Sequence, residues 1–224
     1  MNLTLQTIPS GVISEILSNS ALDGVVLDTE HGCFNDESLY NCIQIITLSQ
    51  KKCFVRLTDF NKKLIRLSLD AGADGLVFST IDDKLESRKI YSYCNYPKFD
   101  GIRGCGLVRE NKWGKDLLGD KKPILIAQIE TIQAVDNLES LLKVPFDFYL
   151  VGPYDLSSSL LRPGQFDDKL FINSLNKIFE TIPRSQSGIF LPTKQFFDLP
   201  YKPAFIIWGL DTNFLINSIG QLDL

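Results

Sequence analysis

A closed (β/α)8 barrel is the fold this sequence predicts, and three observations predict it. Short apolar runs rich in β-branched or aromatic residues recur along the chain, segments with helical spacing follow most of them, and eight such units can be counted. No GxGxxG follows the first strand, so an open dinucleotide-binding sheet is the poorer match. No low-complexity linker or internal repeat divides the chain, so one domain over residues 1–224 is the simpler organisation.

The elements follow in order. A weak run at 3–6 opens the chain, and Val12, Ile13, Ile16 and Leu17 then recur at i, i+1, i+4, i+5, which predicts a helix burying that stripe. Gly24–Asp28 (GVVLD) is the next strand, and Leu39, Cys42, Ile43 and Ile46 repeat the helical stripe after it. The runs 53–57 (CFVRL) and Gly75–Phe78 (GLVF) follow. The segment 95–123 is long, Gly-rich and poorly periodic, and loops of that length inside a compact domain are often functional. The runs 124–130 (ILIAQIE) and 147–151 (DFYLV) flank a helix on Ile132, Val135, Leu138, Leu141 and Leu142. That helix ends before Pro145, which lacks an N–H and restricts the residue before it. Two weaker runs, 188–191 and 204–208, complete the eight.

Composition narrows the function classes. A net charge of -4 without a lysine or arginine cluster offers nothing to a polyanion, so neither nucleic acid nor an anionic membrane is an expected partner. The start MNLTLQTIPS lacks the basic residues and apolar run of a signal peptide, and no stretch approaches the roughly 20 apolar residues that span a bilayer. Five scattered cysteines, an odd number with no CxxC pair, suit reduced thiols in the cytoplasm.

In a parallel barrel the loops after strand C-termini build the active site, so polar residues that end apolar runs come first. GVVLD leads into Asp28, Thr29, Glu30 and His31. CFVRL contains Arg56, ILIAQIE ends in Gln128 and Glu130, and DFYLV opens into Gly152, Pro153, Tyr154 and Asp155. Acidic oxygens, one guanidinium and the chain's only imidazole thus converge on one mouth.

With these residues in place, the sequence resembles the HpcH/HpaI aldolase family of metal-dependent pyruvate aldolases, in the pyruvate kinase-like barrel superfamily. The resemblance is carried by DTEHG (28–32), VRL around Arg56, LDAGADG (69–75), YPKFDGIRG with the later Arg109 and Trp113, AQIET (127–131) and GPYDLSSSL (152–160). It implies that Glu130 and Asp155 bind a divalent metal, that His31 is the general base, and that Arg56 stabilises the enolate oxygen. It further implies that Asp28 and Asp70 orient or strengthen that base. Gln128 and the Gly152, Pro153, Tyr154, Asp155 turn meet the keto acid, and Phe190 makes an apolar substrate contact. The family pattern implies a homo-oligomer, a trimer or hexamer, acting on a small keto acid and an aldehyde. Leu160 to Pro163 and Phe34 depart from the family's usual residues on the acceptor side, and the chain ends soon after its last βα unit.

The chemistry can be built without the family. The methyl protons of pyruvate are too weakly acidic for a protein base unless positive charge stabilises the enolate, and two carboxylates holding a cation with open positions can supply that charge. Oxygen ligands favour magnesium or manganese, with cobalt a further candidate, and a single histidine argues against a multi-histidine zinc site. An imidazole can exchange protons near neutral pH, whereas Arg56 supplies a fixed positive fork. None of the clearest strands ends in lysine, which disfavours imine chemistry.

Other readings use the same residues. Asp28 with Glu30, Glu130 alone, or Asp155 with Ser157 could cap helices, and Glu30 is read as structural. The turn 101–104 (GIRG) could be loop structure or a lid. At the level of function, the alternatives are an acyl-CoA lyase of the citrate lyase β-subunit and malyl-CoA lyase type, or a non-catalytic barrel scaffold. The lyases of that branch tend to carry an acidic residue where this chain has His31.

Overall fold

The computed structural model describes residues 1–192 and 199–222. Eight parallel strands close into a ring in sequence order: β1 (Asn2–Gln6), β2 (Gly24–Asp28), β3 (Lys52–Leu57), β4 (Gly75–Phe78), β5 (Ile124–Ile129), β6 (Phe148–Val151), β7 (Ser187–Leu191) and β8 (Phe205–Leu210). The outer elements include α1 (Gly11–Ser18), α2 (Asp36–Leu48), α3 (Lys62–Asp70), α4 (Lys84–Cys94), α5 (Ile132–Asp136) and α6 (Leu138–Leu141). They continue with α7 (Pro153–Ser159), α8 (Lys169–Thr181) and α9 (Asp211–Gly220). Among the described residues, no helix is long and apolar enough to cross a membrane.

The two-residue period of a strand divides the core into two layers. Leu3, Leu5, Val26, Phe54, Val77, Ile126, Leu150 and Ile207 fill the barrel interior. Their neighbours, such as Val25, Val55, Leu76 and Ala127, face the helices. Counting on by two from Val26, Phe54, Ile126 and Leu150 reaches Asp28, Arg56, Gln128 and Gly152, and a further step beyond Gln128 reaches Glu130. The alternation that packs the interior therefore aims these residues inward at the strands' C-terminal ends. At the opposite end Asp74 and Asp147 peg the ring, each accepting a neighbouring strand's N–H, from Cys53 at 3.0 Å and from Leu125 at 2.9 Å.

The helical stripe on α2 is buried as its spacing predicts, through Leu39, Cys42, Ile43 and Ile46. On α1 only half of the expected stripe is buried: Leu17 joins the core and Ile13 packs partly against it. Val12 and Ile16 are 64% and 60% exposed, and the residues buried are Ser14, Leu17 and Ser18. The cause is polar. Gln6 turns its buried amide outward from β1, where Oε1 accepts from Ser14 Oγ at 2.9 Å and Nε2 donates to the Ile8 carbonyl at 2.8 Å. A buried amide requires partners, and meeting that need rotates α1. The helix expected over 132–142 is two short ones, broken at Asn137, whose backbone is not helical on the C-cap side of α5.

None of the acidic site residues caps a helix. Asn35 caps α2 by accepting from Ser38 N, and Thr131 caps α5 by accepting from Ala134 N. The segment 95–123 is pinned to the outer wall. Arg103 Nη2 lies 2.7 Å from Asp70 Oδ1 and Arg109 Nη1 donates to the Ala71 carbonyl at 2.6 Å. The GIRG turn is therefore loop structure at the end of the barrel where strands begin, away from the mouth.

Candidate active site

A cavity of about 420 Å³ opens at the C-terminal mouth of the barrel, floored by the apolar interior layer and rimmed by His31, Arg56, Gln128, Asp155 and Phe190, among others. Gly152, Pro153 and Tyr154 line it as well. A larger groove of about 610 Å³ runs along α3 on the outer face; of the expected site residues it holds only Asp70. We place the chemistry in the smaller cavity because polar groups from five strand ends converge there.

Arg56 is held between two acids. Asp28 lies opposite it in the β2–β3 register, and the two side chains meet as a fork: Nε donates to Oδ1 at 2.9 Å and Nη2 to Oδ2 at 2.7 Å. Glu30 Oε2 takes Nη1 at 3.0 Å. Burial works against the guanidinium's charge, but the Asp28 hydrogen bond and the charges of Asp28, Glu30 and Glu130 outweigh it and hold the pKa above its ordinary value. Two of the five N–H donors are hydrogen-bonded to Asp28, and Nη1 makes an ion pair with Glu30. Asp28 Oδ1 also accepts from the backbone N–H groups of Glu30 at 3.0 Å and His31 at 3.4 Å. Asp28 thus positions the loop that carries His31. The imidazole itself is exposed and makes no hydrogen bond among the described residues.

Glu130 ends β5 almost wholly buried. Its Oε1 accepts from Thr80 N at 2.6 Å and from Thr80 Oγ1 at 2.9 Å, and its Oε2 accepts from Gln128 Nε2. Burial, reinforced by the nearby charge of Asp155, raises its pKa from 4.5 to about 7 against the lowering effect of the Thr80 bonds. Asp155 stands exposed on the first turn of α7. A Cβ added at Gly152 would lie 2.7 Å from Glu130 Oε2, so only glycine leaves that space open.

A divalent cation fits this arrangement on three counts. Asp28, Glu30 and Glu130 act on one guanidinium and Asp155 lies near Glu130, so the mouth is short of positive charge. The charge of Asp155 disfavours ionisation of the buried Glu130, which a shared cation would relieve. Gln128 Oε1 is buried with no hydrogen-bond partner, an acceptor left for a donor or a cation. Among the described residues no group of three or more His, Cys, Asp or Glu side chains forms a closed ligand cage. Two carboxylates with open positions are what substrate coordination needs.

Most expected residues meet here. Asp70 does not: it ends α3 at the end of the barrel where strands begin, and its carboxylate is taken by Arg103. Leu210, Asn213 and Pro192 also line the mouth without having been expected, and Glu30 belongs to the Arg56 cluster. Thr80 was missed too, although it follows GLVF as a polar residue just past a strand end, the same signal that marks the others.

A closed parallel barrel that gathers carboxylates, a guanidinium and an imidazole at its C-terminal mouth has the architecture of a barrel enzyme. The chain belongs to the HpcH/HpaI aldolase/citrate lyase family, whose sequence profile it matches over residues 10–191. It is 31% identical to the 2-keto-3-deoxy-L-rhamnonate aldolase of Shigella dysenteriae serotype 1 over 221 residues, covering 93% of this chain and 82% of that one. The corresponding enzyme of Salmonella gallinarum is 32% identical over 158 residues, 67% of this chain, and the match spans only 59% of that relative's length. In fold, an HpcH/HpaI aldolase/citrate lyase family protein from Burkholderia cenocepacia superposes with a TM-score of 0.87 at 22% identity, covering 99% of this chain and 92% of that one.

Proposed function

We propose that this chain is a carbon–carbon lyase, a metal-dependent aldolase that cleaves or forms a 4-hydroxy-2-oxo acid through a pyruvate enolate and an aldehyde. The observation that carries this reading is the convergence of His31, Arg56, Gln128 and Asp155 on one cavity, with the Glu130 carboxylate held beside its Gly152 wall. Glu130 and Asp155 hold the cation, magnesium or manganese by the oxygen character of the donors. When bound, the cation supplies the positive charge that makes an enolate at the keto carbon accessible.

The residues divide the remaining work. In cleavage His31 takes the proton of the C4 hydroxyl, the C3–C4 bond breaks, the aldehyde leaves, and the electron pair passes into the enolate of pyruvate. Returning the proton to C3 completes pyruvate, and synthesis runs the same steps backwards. Arg56, which lines the cavity, stabilises the developing oxyanion with its fixed positive charge. Gln128 and the Gly152 to Asp155 turn orient the keto acid, while Phe190 beside Tyr154, with ring centroids 6.2 Å apart, forms an apolar wall toward the aldehyde.

The chain works as one barrel over 1–224, in the cytoplasm, as a homo-oligomer. Exposed Val12 and Ile16 on α1 and Leu215, Ile216 and Ile219 on α9 support association. Deuterium exchange into the pyruvate methyl group tests the common half-reaction without knowledge of the aldehyde. We expect exchange with added manganese, none in chelator, and none with Glu130→Gln; exchange that persists in chelator defeats the mechanism.

A further inference from the structure

We propose that Thr80 is the positioning residue that fixes the Glu130 carboxylate for cation binding, an inference that rests on the metal reading above. Thr80 lies just past β4 with φ +53°, a left-handed conformation rare for a β-branched residue. Its neighbours hold it there. Ser79 N and Oγ both donate to the Leu57 carbonyl, at 3.0 and 3.2 Å, and Ile81 N donates to the Gln128 carbonyl at 3.2 Å. Neither common reason for such a residue applies. Thr80 is exposed, so core packing does not hold it, and Asp83, not Thr80, caps α4.

The left-handed turn brings the N–H and the hydroxyl of one residue onto a single oxygen, Glu130 Oε1, at 2.6 and 2.9 Å. The other oxygen is held by Gln128 Nε2 and sits over the space that Gly152 leaves. Donors from the ends of β4 and β5 therefore fix the carboxylate plane, with β6 closing the third side. A carboxylate locked in this way presents its remaining lone pairs in one direction, and the outer partners of metal ligands typically contribute about 10–100-fold in affinity. The strained backbone at residue 80 thereby aims the ligand.

Manganese binding to the full-length protein at one fixed pH, followed by the loss of the free-ion EPR signal, tests the assignment. Thr80→Val keeps the branched shape and the backbone donor but replaces the hydroxyl by a methyl, and should weaken manganese binding at least about tenfold. Thr80→Ser restores the hydroxyl and should bind within about twofold of the parent. If the valine variant does not fold, Thr80→Gly relieves the φ angle and removes the hydroxyl, with the same loss expected. A role in folding alone would lower the metal-free melting temperature and leave manganese affinity unchanged, which overturns the proposal. Glu130→Gln separates the two claims: if it loses manganese while Thr80→Val does not, the Thr80 assignment fails alone. If Glu130→Gln binds manganese like the parent, the metal site itself is wrong and the assignment falls with it.

Discussion

Glu30 occupies the side of Arg56 that Asp28 leaves open, with its Oε2 3.0 Å from Nη1 while Asp28 takes Nε and Nη2. The two acids differ in exposure: the Asp28 side chain is 1% exposed and that of Glu30 17%. Water can replace the second partner but not the first.

Removing the buried partner should therefore cost far more. Asp28→Ala removes the buried, doubly hydrogen-bonded partner of a buried guanidinium and should lower unfolding free energy by about 3 kcal/mol. Glu30→Gln should cost no more than about 1 kcal/mol. Urea denaturation at pH 7 compares them, and equal losses would mean that Glu30 anchors the guanidinium as firmly as Asp28.

Glu130 makes metal-free stability depend on pH. Its pKa is 4.5 normally and about 7 in the fold. Between these values the native state keeps a proton that the unfolded chain has lost, so stability falls as pH rises through that window. The loss is at most about 3 kcal/mol. Melting in chelator from pH 5 to pH 8 should show the decline, and Glu130→Gln should flatten it. With manganese present the order reverses, because protons compete with the cation below pH 7 and binding weakens by up to about tenfold per pH unit.

Asp211 holds the seam where β1 meets β8. It is 3% exposed and accepts from Thr7 N, Thr7 Oγ1 and Ile8 N at distances of 2.7 to 3.1 Å. Asp211→Ala leaves these donors unpaired in a partly buried loop and should cost roughly 2–4 kcal/mol. A change under 1 kcal/mol in chemical denaturation would show that water serves those donors equally well.

Phe190 lines the mouth beside Tyr154. Phe190→Ala should raise KM for a 4-hydroxy-2-oxo acid about tenfold through lost apolar contact. An unchanged KM would place the aldehyde end of the substrate elsewhere.

The strands were legible because period-two burial is written directly into them. GVVLD and GLVF match β2 and β4 residue for residue, and the polar ends of β2, β3, β5 and β6 pointed to the mouth. The face of α1 was only half legible, through Ile13 and Leu17, since Gln6 reads as the end of an apolar run until its amide is seen to require Ser14. Glu30 read as structural, and its ion pair with Arg56 fits that reading; its partner was not legible because Arg56 is distant in sequence and is brought near by the register that sets it opposite Asp28. Asp70 looked like a site residue through family resemblance, but in this chain α3 carries it to the far end of the barrel. Asn213 and Leu210 reach the mouth by virtue of ring closure, which no local pattern encodes.

That closure pairs β1 with β8 and hydrogen-bonds the Met1 amino group to the Ala204 carbonyl at 2.7 Å. During synthesis the first strand must wait for the last. Until β8 leaves the ribosome, β1 and β7 remain open edges able to pair with another nascent chain. The cavity meanwhile lacks the wall that Ile207 and Leu210 provide.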